Sequence, residues 1–311
     1  MTTTGSKWLH GWLVGADGLH SSEDASDWQL VGGTGHPVHD LIRRPEDLFC
    51  ATMFGLWQVR DSRQADSPQA DEPSPWLQLH DETLTEILGI APDEGDPGVV
   101  AVSPYGLAFG AQVDGVHRWQ SRCDGLTLNE RFSSAVLPHP LAPGHWIVAT
   151  EDGVRIYSDS DGQTQGQWEG TDLTGLPCRA LLYAHDRLWA ATDGGGIWRS
   201  DDGSSWRRAG TGTDEESVFA LGATADGILA GTLRGICFGD GESRWQRSGP
   251  SLLVSAVAAH CDDDRIWLAG ATPGGLWRSE DAGATWGQTG NFDSVRVILP
   301  PISGHGKVGH D

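Results

Sequence analysis

The stretch His36-Pro37-Val38-His39-Asp40 places two imidazoles and a carboxylate within five residues. Those are common ligands for a divalent metal, and Asp17 or Glu86 would extend the set. Neighbouring residues on a strand point to opposite faces, however, so His39 and Asp40 could address one ion only across a bulge. No metal is expected on that ground. A second constellation is basic: Arg179, Arg234 and Arg296 could hold a small carboxylate or a sugar acid through paired guanidinium bonds. His36 and Asp40 would then line the same site, with His39 or Glu86 as general acid or base and Tyr105 as a third catalytic candidate. No phosphate-cradling loop and no paired-cysteine spacing is present, so no cofactor is expected. Whether these groups meet depends on the elements that carry them.

Those elements repeat. A short apolar run, a glycine-containing turn and a closing aliphatic residue recur seven times, ending at Leu19, Leu56, Leu107, Val154, Ile197, Ile236 and Leu276. The intervals are 37, 51, 47, 43, 39 and 40 residues. Within one unit, S-V-F-A-L, G-I-L-A-G-T, G-I-C-F-G and R-W-Q-R-S read as four strands, by alternation and β-branched content. Four strands in roughly 40–45 residues describe a propeller blade. The expectation is one all-β domain over 1–311, a seven-bladed β-propeller. Residues 1–30 lack a first strand, and S-V-R-V-I-L at 294–299 resembles the missing one, so the C-terminal strand is expected to pair with the N-terminal blade and close the ring.

A polar turn recurs with the blades. W-R-S-E-D-A-G-A-T-W at 277–286 is echoed by W-R-S-D-D-G-S-S-W at 198–206. Ser279, Asp281, Gly283 and Trp286 are matched by Ser200, Asp202, Gly203 and Trp206, and by Ser22, Asp24 and Trp28 without the glycine. Asp240 to Trp245 and Asp161 to Trp168 are degenerate copies. An aspartate in such a turn accepts backbone N–H groups, glycine takes the left-handed dihedral, and tryptophan fills space between blades. These residues are read as structural.

The pattern S-x-D-x-G-x-T-W resembles the Asp-box, or BNR repeat. By it the chain is similar to the BNR propellers, sialidases among them, and looks most like the photosystem II stability/assembly-factor type. The sialidase side of that resemblance implies a carboxylate-binding arginine triad and a Tyr–Glu nucleophile pair. The chain departs from it: L-I-R-R-P at 41–45 fits the repeat's own first strand, and sialidases have six blades. The assembly-factor side implies a non-enzymatic platform that holds a partner protein. Its exported members carry signals absent here.

In a propeller, second-to-third-strand turns and fourth-to-first-strand loops share one end and ring the channel mouth. His36, His39, Asp40, Tyr105, Arg179, Arg234 and Arg296 fall at that end, with Glu86 just inside on a first strand. Insertions fall on the other end, the largest being the acidic, proline-rich 61–75. Charge narrows the partners. Forty-three acids against twenty-one bases give −22, with Lys7 and Lys307 the only lysines. Nucleic acid is not expected as a partner. The acidity fits a high-salt cytoplasm or, equally, a genome that replaces lysine codons by arginine codons. No run reaches the length of a membrane span, no export signal is visible, and the five cysteines are scattered. The sequence therefore points to a cytoplasmic, non-catalytic interaction scaffold that holds a partner protein; a ligand-binding or catalytic channel mouth is the alternative.

Overall fold

The computed structural model describes residues 7–60, 76–95, 97–159 and 166–304. The 61–75 segment and most of the 161–168 turn lie outside them. Apart from two single-turn helices, the described elements are strands. Short apolar runs broken by glycine turns cannot nucleate helix, and they pair with their sequence neighbours instead.

Five antiparallel sheets have four strands each, in sequence order. They begin with Gly89–Pro92, Ser133–Pro138, Cys178–Ala184, Val218–Ala223 and Val254–Ala259. A sixth sheet has the order Val297–Leu299, Trp12–Ser22, Gln29–Arg43, Asp47–Thr52, Gly55–Arg60, Trp76–Gln78. Two of its strands are long, and each serves different neighbours with its two halves. Leu13–Gly15 pairs with Val297–Leu299, whereas Asp17–Ser21 pairs with Gln29–Arg43. Val38–Arg43 in turn pairs with Asp47–Thr52. Glycines at positive φ (Gly18 at 87°, Gly35 at 84°) mark where the halves change direction.

The apolar core is a series of clusters, most of them between adjacent sheets. Trp189, Ala191 and Ile197 of one sheet meet Val218, Ile228 and Trp245 of the next. Trp12, Val14 and Ala16, near the chain's beginning, meet Leu268, Leu276 and Val295, near its end.

The polar turns hold these sheets' outer strands. Ser279 Oγ accepts the Gly283 N–H at 2.8 Å, and Asp281 Oδ1 accepts the Thr285 N–H at 2.8 Å. Ser200 Oγ likewise accepts from Gly203, and Asp202 Oδ1 from Ser204 and Ser205. In the third copy Ser22 Oγ accepts from Ala25 at 2.9 Å and Asp24 Oδ1 from Ser26 at 2.8 Å. Ala25 takes φ 64° where the other turns use Gly203 (81°) and Gly283 (84°), which is how that copy dispenses with glycine. Trp206 and Trp286 fold their indole N–H groups back onto the carbonyls of Gly203 and Gly283. Trp28 packs edge-on to Phe292.

Candidate functional site

The first strands of the sheets surround a cavity of about 360 Å³. Its wall has an internal order keyed to one buried residue in, or just before, each lining strand: Val38, Ile87, Ser133, Cys178, Val218, Val254 and Val295. The residue that follows each of them faces the cavity: His39, Leu88, Ser134, Arg179, Phe219, Ser255 and Arg296. In five of the strands a register shift falls at that step, for example between Val38 and Asp40 and between Cys178 and Ala180. A bulge turns the extra side chain inward. It also lets Asp40 join His39 on the cavity wall, so the alternation expected of a regular strand does not separate this pair. Deeper in, Ile90, Val136, Leu181, Leu221, Val257 and Ile298 line an apolar waist.

The polar groups at the mouth are largely occupied. Arg179 Nη1 donates to Glu151 Oε1 at 2.5 Å and its Nη2 to Asp193 Oδ2 at 3.0 Å. A hydrogen bond from Ser217, together with Arg179, holds the Asp193 carboxyl below its usual range. Ser134 Oγ donates to the Cys178 carbonyl at 2.6 Å. Ser255 Oγ lies 2.7 Å from the Val295 carbonyl oxygen and 2.8 Å from Thr272 Oγ1. Asp40 accepts the Leu41 N–H at 2.8 Å and the Ile90 N–H at 2.9 Å. Burial raises its carboxyl to about 6 against those two hydrogen bonds. His39 is pushed down to about 4 by burial and by the Arg296 charge, against a hydrogen bond to Ile87.

The remaining candidates are elsewhere. Arg234 is exposed on the turn after Ile228–Thr232 and takes no part in the lining, so the three arginines form no shared clamp. Glu86 precedes its strand, which starts only at Gly89, because the Ile87 N–H is bonded to the Thr52 carbonyl of the neighbouring sheet. Tyr105 stands out from its turn, 66% exposed. His36 lies against Phe54 and Trp57, with ring centroids at 5.6 and 5.4 Å. Sequence reasoning missed Ser134, Phe219 and Ser255. The signal was present: each follows the buried opening residue of its strand, as His39 follows Val38.

No protein-family model matches the chain, and no curated protein matches it by sequence. Solved structures do match by shape. The β-propeller domain of Cps50 (Swd1) from Myceliophteria thermophila aligns with TM-score 0.57 at 12% identity, over 84% of this chain and 89% of that one. YCF48 from Cyanidioschyzon merolae aligns with TM-score 0.58 at 15% identity, over 84% and 87%. The extracellular domain of a one-component system from B. thetaiotaomicron gives 0.59 at 16% over 84% of this chain, which spans only 35% of that chain's length. At such identities the likeness shows the fold, an all-β propeller, and nothing of function.

Proposed function

We propose that the chain is a seven-bladed propeller of the BNR type, closed by its last strand, and that it serves as a non-catalytic cytoplasmic scaffold holding a partner protein. Counting each long strand of the six-stranded sheet as two blade arms gives two blades there and seven in all. Seven apolar clusters, one between each pair of successive blades, fit that count. The pairing of Val297–Leu299 with Leu13–Gly15 supports closure, and the Ser-x-Asp turns support the repeat type. Three buried thiols, Cys50, Cys178 and Cys237, suit a reducing cytoplasm.

One observation carries the functional reading. The guanidinium of Arg179, the best-placed anion ligand at the mouth, is already engaged by Glu151 and Asp193. A carboxylate or sugar acid would have to displace those acids or be held by Arg296 and His39 alone. The two serine hydroxyls on the cavity wall are also engaged, since Ser134 and Ser255 are both bonded to backbone carbonyls. The test is recovery of the tagged full chain from its own cells. One protein retained in stoichiometric amount supports the scaffold. A thermal shift with small carboxylates or sugars that Arg296→Ala abolishes, with no such protein, overturns it.

A further inference from the structure

The cavity wall holds one cation that the fold leaves without an acid. Arg179 is shared by Glu151 and Asp193, and Asp40 is taken by two backbone N–H groups. Among the described residues the Arg296 side chain has no hydrogen bond and no ion pair; its charge is felt by His39. The strand that Arg296 leads into, Val297–Leu299, adjoins Gln29–Arg43 and Val254–Ala259, so His39 and Ser255 flank it on the wall. Arg179 and its acids are further round, on Cys178–Ala184, which adjoins Ser133–Pro138 and Val218–Ala223. Asp17, on the turn of the sheet that Val297–Leu299 completes, accepts the Gly35 N–H at 2.7 Å. A half-buried guanidinium that folding does not neutralise is open to an anion entering the cavity.

The wall beneath Arg296 is apolar. Two residues on, Ile298 joins Ile90, Val136, Leu181, Leu221 and Val257 around the waist. Leu88 and Phe219 stand at the level of Arg296 itself. Leu88, Leu181, Phe219 and Leu221 line the cavity without being fully buried, so folding leaves part of their apolar surface to be covered. Two residues along a strand span about 7 Å, the reach of a chain of roughly five or six carbons. A volume of about 360 Å³ with apolar walls and few polar groups is the ordinary make-up of a small-molecule site.

Those two halves select the ligand. A sugar acid would carry hydroxyls down to side chains that cannot pair with them, and an unbranched alkyl chain carries none. We infer that the channel binds a straight-chain aliphatic monocarboxylate, its carboxylate on Arg296 and its chain in the waist between Ile298, Leu181 and Leu221. The inference stands apart from the scaffold reading, since a partner docked on the surface need not enter the channel.

Calorimetric titration of the full chain with acetate, butyrate, hexanoate, octanoate and 1-octanol tests it. Affinity should climb about fourfold per methylene from butyrate to octanoate. The uncharged 1-octanol should bind about tenfold or more weakly than octanoate. Arg296→Gln should weaken octanoate by about tenfold or more, whereas Arg234→Gln, at an exposed arginine outside the lining, should not. Octanoate should also raise the His39 pKa from about 4 in an imidazole NMR titration, because its charge offsets that of Arg296. Should Arg296→Gln fail to fold, the chain-length series and the His39 titration on the wild type decide. No octanoate binding, acetate or 1-octanol binding as tightly as octanoate, an unmoved His39, or a folded Arg296→Gln that binds as before overturns the inference. A stoichiometric partner without octanoate binding removes the site and leaves the scaffold; octanoate binding without a partner does the reverse.

Discussion

Arg179 Nη2 lies 3.0 Å from Asp193 Oδ2, joining the start of a first strand to the second-to-third-strand turn of its own sheet. Its other arm reaches Glu151 on the preceding sheet, so one side chain ties two sheets at the mouth. The pair of contacts is partly buried, and removing the cation leaves two carboxylates facing each other. Arg179→Met is expected to lower unfolding free energy by about 1–3 kcal/mol in a denaturant titration. Adding Glu151→Gln should restore part of the loss, because the repulsion goes with the charge. No recovery in the double variant would mean that packing, not charge balance, is what Arg179 supplies.

His39 and Asp40 make opposite demands on pH. His39 is lowered from 6.5 to about 4, so the unfolded chain takes its proton first, and stability is lost as pH falls through that window. Asp40 is raised from 3.8 to about 6, so the folded state keeps its proton longer, and stability is lost as pH rises through an overlapping window. Each effect is worth about 3 kcal/mol, and together they nearly cancel between pH 4 and 6. Asp40→Asn should therefore unmask a melting temperature that climbs with pH, and His39→Gln one that falls. Parallel pH profiles for the two variants would refute this.

Ser200 is buried at the heart of its turn and accepts the Gly203 N–H at 2.8 Å. Ser200→Ala strands that donor and should cost about 1–2 kcal/mol. Gly203→Ala should cost as much or more, since φ is 81° there and the new methyl would sit 2.9 Å from His139 Nε2. Chemical denaturation of both variants measures it, and a change under a few tenths of a kcal/mol in either would contradict the role given to the turn.

Deleting residues 291–311 removes Val297–Leu299 and leaves the Leu13–Gly15 edge unpaired. The expected product is insoluble or melts without a sharp transition, because an open edge templates association. A truncated chain that melts as sharply as the full one, at the same temperature, would remove the case for closure.

At net charge −22, self-repulsion should make the melting temperature rise from dilute buffer to molar potassium chloride. A flat response would favour codon bias over a high-salt cytoplasm as the origin of the acidity.

The four-strand repeat was legible because its cause is local. Alternation, glycine turns and the Ser-x-Asp hydrogen bonds all lie within one unit, and the strands Val218–Ala223 through Gln246–Ser248 fall where the pattern put them. So was the candidate partner for Trp12–Ala16, since S-V-R-V-I-L carries the pattern of a first strand without one. The mouth was legible only as a set of residue types. Which of them share the cavity depends on bulges that place His39 and Asp40 together, and a one-residue register shift leaves no mark in composition. Arg179 and Arg234 look alike as sequence. Only the fold decided that the first is neutralised by acids from two sheets and the second stands clear of the cavity, because those distances arise between segments far apart in the chain. The same holds for Leu128: its apolar character is written in the sequence, but its exposure is set by a capped turn pinned through Glu130 to Arg155.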